Sequence, residues 1–94
     1  MAKFDLGETV ICGIKVEDDA GALKDPATSI NTVIDEIEPR SIPVVASTAM
    51  TKDSTGKYHY DFASAGNEAG TYRVIYTATD GTRITIEKDR FHLE

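Results

Sequence analysis

The sequence predicts an all-β fold built from two antiparallel sheets packed face to face, and three observations carry that prediction. Apolar and polar residues alternate along several segments, the period-two signature of half-buried strands. Turn signals recur about every ten residues, the spacing of a sandwich or barrel. Most informative is the run from Gly70 to Ile86, which reads as strand, tight turn, strand. Thr71 to Thr79 is rich in β-branched and aromatic residues, which suit a pleated surface. Asp80-Gly81 offers the pair that a type I′ turn needs, with both central residues at positive φ.

Taken in order, Lys3 to Leu6 reads as a short edge strand ended by Gly7. Thr9 to Glu17 is the first long strand, with Val10, Cys12, Ile14 and Val16 on one face and Gly13 on the other, where a glycine signals a bulge or close backbone approach. Asp18-Asp19-Ala20-Gly21 is a turn cluster, and Pro26 keeps Asp25 out of helix. Thr28 to Ile37 is the second long strand. Its inward set is Ile30, Thr32 and Ile34, with Val33 and Ile37 on the opposite face leaving two registers open. Its β-branched density argues against a helix over Val33 to Glu38. After a turn at Glu38-Pro39-Arg40-Ser41, Ile42 to Met50 returns, and Pro43 confines its start to an edge or a first position.

Asp53-Ser54-Thr55-Gly56 is the next turn. Lys57 to Ala63 then puts Tyr58, Tyr60 and Phe62 inward and His59 and Asp61 outward. Ser64 to Ala69 is a loop. Thr71 to Thr79 places Tyr72, Val74, Tyr76 and Ala78 inward. Thr82 to Lys88 pairs with it, and Phe91 packs back onto the core after a kink at Asp89-Arg90. Leu93-Glu94 reads as a cloning remnant without functional weight. The count is six strands, or seven with the N-terminal one, in a single domain over residues 1–94.

Ninety-four residues allow one sheet-on-sheet core. Trp is absent, so Val, Ile, Leu, four Tyr and three Phe must fill that core. Ten basic residues among sixteen acidic ones give a net charge of −6. That balance argues against nucleic acid, which is held by clustered Lys and Arg, and against anionic membrane; its plain consequence is solubility. One cysteine, Cys12, forms no internal disulfide. No stretch approaches the length of a membrane span. Met1-Ala2-Lys3-Phe4-Asp5 lacks the apolar core of a signal peptide. The chain therefore acts inside the cell or is a domain of a longer exported protein, and the compartment stays open.

Three segments carry a family resemblance. Glu8 to Asp18 is similar to the B strand of bacterial immunoglobulin-like domains, Ser54 to Phe62 to their Gly-x-Tyr-x-Tyr/Phe strand, and Ala69-Gly70-Thr71-Tyr72-Arg73-Val74 to the Gly-x-Tyr start of strand F. Fibronectin III, macroglobulin-type and carboxypeptidase-regulatory-like sandwiches share related patterns. Antibody domains differ: there is no strand-C Trp, and Val74 stands where their second disulfide cysteine would be. The resemblance implies an immunoglobulin-like antiparallel β-sandwich of about seven strands. It implies a non-enzymatic structural, spacer or protein-interaction module with a protein partner or neighbouring domains, as in surface proteins, multidomain enzymes or phage particles.

No residue set frames catalysis. There is neither a Gly-x-Ser-x-Gly elbow nor a phosphate-cradling glycine loop. Tyr72 reads as a tyrosine corner, its hydroxyl bonding backbone just upstream. Tyr58, Tyr60, Phe62 and Tyr76 form core rather than a carbohydrate platform. His59 and His92 are surface residues too far apart in sequence, with one cysteine, to make a zinc site. Cys12 faces inward as a small apolar side chain. Three connections, Asp18 to Asp25, Lys52 to Gly56 and Asp80-Gly81, are expected at one end. That would gather Asp18, Asp19, Asp25, Asp53 and Asp80, the oxygen donors calcium uses, although Asp is also an ordinary turn residue and Lys24 and Lys52 belong to the same end. No cofactor is expected. Recognition would use these loops, or an edge such as Ile42 to Ala49 pairing with a partner strand. Ile11 and Ile75, apolar on outer faces, mark a surface for a dimer mate or neighbouring domain. The alternative function is an accessory domain that binds carbohydrate or calcium, or a phage virion component.

Overall fold

The computed structural model describes residues 2–94, and every regular element among them is a strand. There are eight: β1 (Ala2–Phe4), β2 (Thr9–Lys15), β3 (Ser29–Glu38), β4 (Ile42–Ala49), β5 (Thr51–Ser54), β6 (Lys57–Ala63), β7 (Gly70–Asp80) and β8 (Arg83–Leu93). They form a five-stranded sheet in the order β1-β8-β7-β3-β4 and a three-stranded sheet in the order β2-β6-β5. All neighbours are antiparallel except β1, which lies parallel to the end of β8.

The core forms where the two inner faces meet. Val10 and Cys12 from β2, Tyr58 and Phe62 from β6, Ile30 and Ile34 from β3, and Tyr72, Val74, Tyr76 and Ala78 from β7 are buried. Ile14, Val16 and Tyr60 pack against them from half-buried positions. Aromatic rings supply the bulk that a core without Trp needs: Tyr72 stacks on Phe91 at 5.3 Å between ring centroids, and Phe62 tilts against both. The register left open for β3 is settled with Ile30, Thr32 and Ile34 inward.

Five local expectations are corrected. The β7–β8 hairpin turns one residue later than Asp80-Gly81: Asp80 is still paired, with Arg83, and the loop is Gly81-Thr82. Gly81 has φ +63° and, among the described residues, no non-glycine residue has positive φ, which is the type II′ arrangement with glycine first rather than type I′. No kink interrupts β8 at Asp89-Arg90; its ladder with β7 runs unbroken from Asp80↔Arg83 to Gly70↔Leu93. Gly13 makes no bulge, since it pairs with His59 in a regular ladder. The segment expected as one strand from Ile42 to Met50 divides. β4 ends at Ala49, Met50 drops into the core, and β5 begins in the other sheet, extending to Ser54 and leaving Thr55-Gly56 as the turn. Leu93, set aside as weightless, is fully buried; Glu94 donates its amide to the Phe4 carbonyl at 2.9 Å and accepts from the Leu6 amide at 3.1 Å. Pro43 does lie in an edge strand, β4, where its missing N–H leaves no gap in a ladder.

Candidate functional site

The three connections expected at one end do meet there: Asp25 is the hub that ties the first to the second, and Lys24 ties the first to Asp80. Its carboxylate accepts from Lys52 Nζ at 2.6 Å, from the Gly56 amide at 2.8 Å and from the Tyr58 hydroxyl at 2.8 Å. The lysine bond first, then the amide and the phenol, hold its pKa down to about 2. Gly56 is the point of closest approach. Its carbonyl accepts from the Val16 amide at 2.7 Å, it has φ +72°, and a Cβ there would stand 2.7 Å from the Val16 carbonyl oxygen. Asp80 accepts from Lys24 Nζ at 3.0 Å, which lowers its pKa, and the Gly81 amide donates to Thr28 Oγ1 at 3.1 Å.

These contacts bring the loops together without bringing the five carboxylates to one point. Asp18 accepts from the amides of Ala20 and Ala22, closing its own turn. Asp19 is exposed, with Arg83 at 4.0 Å. Asp53 contacts His59 Nδ1 at 2.6 Å. Asp25 and Asp80 each hold a lysine ammonium, Lys52 and Lys24. Among the described residues no group of three or more His, Cys, Asp or Glu is arranged to hold a metal ion. The loop end therefore holds two close ion pairs, Asp25–Lys52 and Asp80–Lys24, beside an open cleft of about 400 Å³ bordered by Glu17, Asp19, Lys24, Asp80, Arg83 and Thr85.

The remaining candidates are placed as follows. Cys12 is buried, and burial, with the charges of Asp89 and Asp61 behind it, pushes its thiol up to about 11, the opposite of what a reactive thiolate needs. Tyr58, Phe62 and Tyr76 are core and Tyr60 half-buried, so no aromatic platform faces solvent. His59 lies between Asp53 and Asp61, whereas His92 contacts Thr71 on the other sheet at 3.3 Å. The Tyr72 hydroxyl donates to the Glu68 carbonyl at 2.6 Å, the predicted corner. Ile11 is exposed and Ile75 only half-buried.

One arrangement escaped the sequence reading. Glu36 continues the inward row of β3 and is buried with its charge. Arg40 clamps it with one edge of its guanidinium, Nη2 at 2.7 Å and Nε at 3.1 Å, and adds its backbone amide at 3.3 Å. The arginine bonds hold the Glu36 carboxyl below its ordinary range against the opposing effect of burial. The signal was present as an acid two positions beyond Ile34 with an arginine four residues on.

The sandwich is open along one side. Among the described residues β2 has no neighbour beyond it in its sheet, and on the side away from β7, β8 has only β1, which covers Phe91 to Leu93. The two edges lie across from each other, since Ile14 and Val16 share a shallow cleft with Thr85 and Glu87, and Ile11 and Cys12 share another with Asp89 and Arg90. From Arg83 to Arg90 every residue of β8 is exposed. No protein-family model, curated protein or solved structure matches the chain.

Proposed function

We propose that this chain is a non-enzymatic immunoglobulin-like module, acting as a structural, spacer or protein-interaction domain. One observation carries the reading: Asp25 and Asp80 at the loop end are bonded to lysines of neighbouring loops, while both sheets leave a strand edge free on the same side. Unpaired edge N–H and C=O groups are a template for another chain, and strand addition is a recurrent mode of protein recognition.

Two further features support the immunoglobulin-like part. Strand order β8-β7-β3-β4 opposite β2-β6-β5 corresponds to G-F-C-C′ opposite B-E-D in that fold. The corner formed by Tyr72 lies near the start of the strand that would be F.

The test is a set of thermal melts with calcium and with a panel of saccharides, repeated across concentration. The midpoint is expected to stay constant. A ligand present at about one hundred times its Kd would stabilise the domain by about 2.7 kcal/mol, an effect easily seen. A midpoint that climbs with calcium or sugar overturns this reading in favour of an accessory ligand-binding domain.

A further inference from the structure

We infer that the free edge of β8 pairs antiparallel with β8 of a second copy of this chain, about a two-fold axis through Thr85, joining the two five-stranded sheets edge to edge. The inference rests on the protein-contact reading above and names its partner and register.

Hairpin geometry fixes which backbone groups are available. A two-residue loop makes Asp80 and Arg83 a hydrogen-bonded pair, so Thr85 and Glu87 also bond toward β7. Thr79, opposite Ile84, sends its carbonyl the other way, to the Thr28 amide at 3.0 Å, as that alternation requires. Ile84, Ile86 and Lys88 therefore turn their N–H and C=O groups to the open edge. An antiparallel partner must match these residues with its own edge-facing residues. Only registers that pair even positions with even ones are allowed, and they differ by steps of two.

Charge and shape choose among them. With Thr85 on the axis, Ile84 opposes Ile86 of the second copy, and Arg83 opposes Glu87 of the second copy, each contact occurring twice. Ile84 is 64% and Ile86 58% exposed in the single chain. Among the described residues Glu87 has no ion-pair partner, and Arg83 has only the long contact to Asp19. Threonine pairs and opposite-charge pairs are favourable cross-strand combinations, and β-branched side chains pack well against neighbours on a pleated surface. Moving the axis to Ile86 sets Ile84 against Lys88. Moving it to Glu87 sets two glutamates together and drives the Gly81 turn of the second copy into Leu93, where β1 already sits. The pairing from Thr82 to Lys88 fits between the hairpin turn and β1. Inward-pointing charge usually guards an edge against self-association; here Glu87 meets Arg83 instead. The contact is isologous, so it closes as a dimer.

Sedimentation velocity over a concentration series tests this, with charge reversals and a cysteine probe. The wild-type chain is expected to dimerise. Arg83→Glu and Glu87→Arg should each weaken the dimer about tenfold or more, because every reversal acts twice, and the double variant should restore it. Thr85→Cys, on the axis at a non-hydrogen-bonded pair whose close Cα spacing suits a disulfide, should cross-link under mild oxidation, and Lys88→Cys should not. A wild-type chain monomeric at millimolar concentration overturns the inference, as does a dimer indifferent to both reversals or one cross-linked as well through Lys88→Cys. A monomer would leave the module reading standing, because that reading falls only to the ligand melts.

Discussion

Replacing Leu93 with alanine separates a core residue from an idle tail. Leu93 is fully buried, pairs with Gly70 on one side and Phe4 on the other, and lies in the core with Phe91 and Tyr72. Leu→Ala removes three carbons, worth about 0.8 kcal/mol each when buried, and leaves a partly unfilled cavity, so Leu→Ala changes in cores cost about 2–5 kcal/mol. The site lies at the end of β8 beside the short strand β1, which can relax inward, and this places the expected loss near 3 kcal/mol. A domain of this length has a total of about 5–14 kcal/mol. The midpoint of thermal unfolding should then fall by about 12–24 °C. Urea denaturation followed by circular dichroism reads the loss directly, with Glu94→Ala as the control that keeps the backbone bonds to Phe4 and Leu6. A loss under about 1 kcal/mol, the range of surface substitutions, would refute the placement of Leu93 in the core and with it the unbroken ladder of β8.

Acid stability follows from Asp25. Its folded pKa is about 2 against an ordinary 3.8, so its contribution is complete above the unfolded value and drains away as pH falls from about 4 through about 2. Melting midpoints taken from pH 7 down to 2 should show a steeper acid limb for the wild type than for Asp25→Asn, and superimposable limbs would contradict the hub. Gly56→Ala combines positive φ with a Cβ crowded by Val16, Leu23 and Lys24, and should lose at least about 2 kcal/mol; Gly66→Ala shares the positive φ but meets nothing within 4 Å, and should lose about 1 kcal/mol. Equal losses in chemical denaturation would show that crowding at Gly56 has no effect.

The inward rows were legible because burial on one face leaves a period-two trace: Val10 with Cys12, and Tyr72 through Ala78, lie where alternation puts them. Boundaries were less legible, for identifiable reasons. Asp-Gly satisfies the composition of one turn type, yet Gly-Thr satisfies another one residue along, and only the pairing partner of Asp80 decides between them. Met50 alternates acceptably within a single strand, and nothing local reveals that the chain changes sheets there. Glu36 breaks an apolar row, so a reading built on hydrophobicity stops at Ile34; the arginine that neutralises it lies in the following turn and is found only by asking what a buried acid would need.

The loop end shows that convergence of loops is not convergence of their carboxylates. Five aspartates in three converging loops are what a calcium site would require, and the convergence is real. The same convergence brings Lys24 and Lys52 within 3.0 Å of two of those carboxylates, and turn amides occupy a third. A lysine that neutralises a carboxylate is fixed to the chain and costs no binding from solution, so two of the five carboxylates are met by the chain's own ammonium groups. What is left open lies on the neighbouring edge, where the side chains of Ile84 and Ile86 are exposed and only the side of β8 turned away from β7 lacks a strand, up to the start of β1. The charges of the loop end are thus met largely within the chain, whereas the apolar side chains of the β8 edge stay in water.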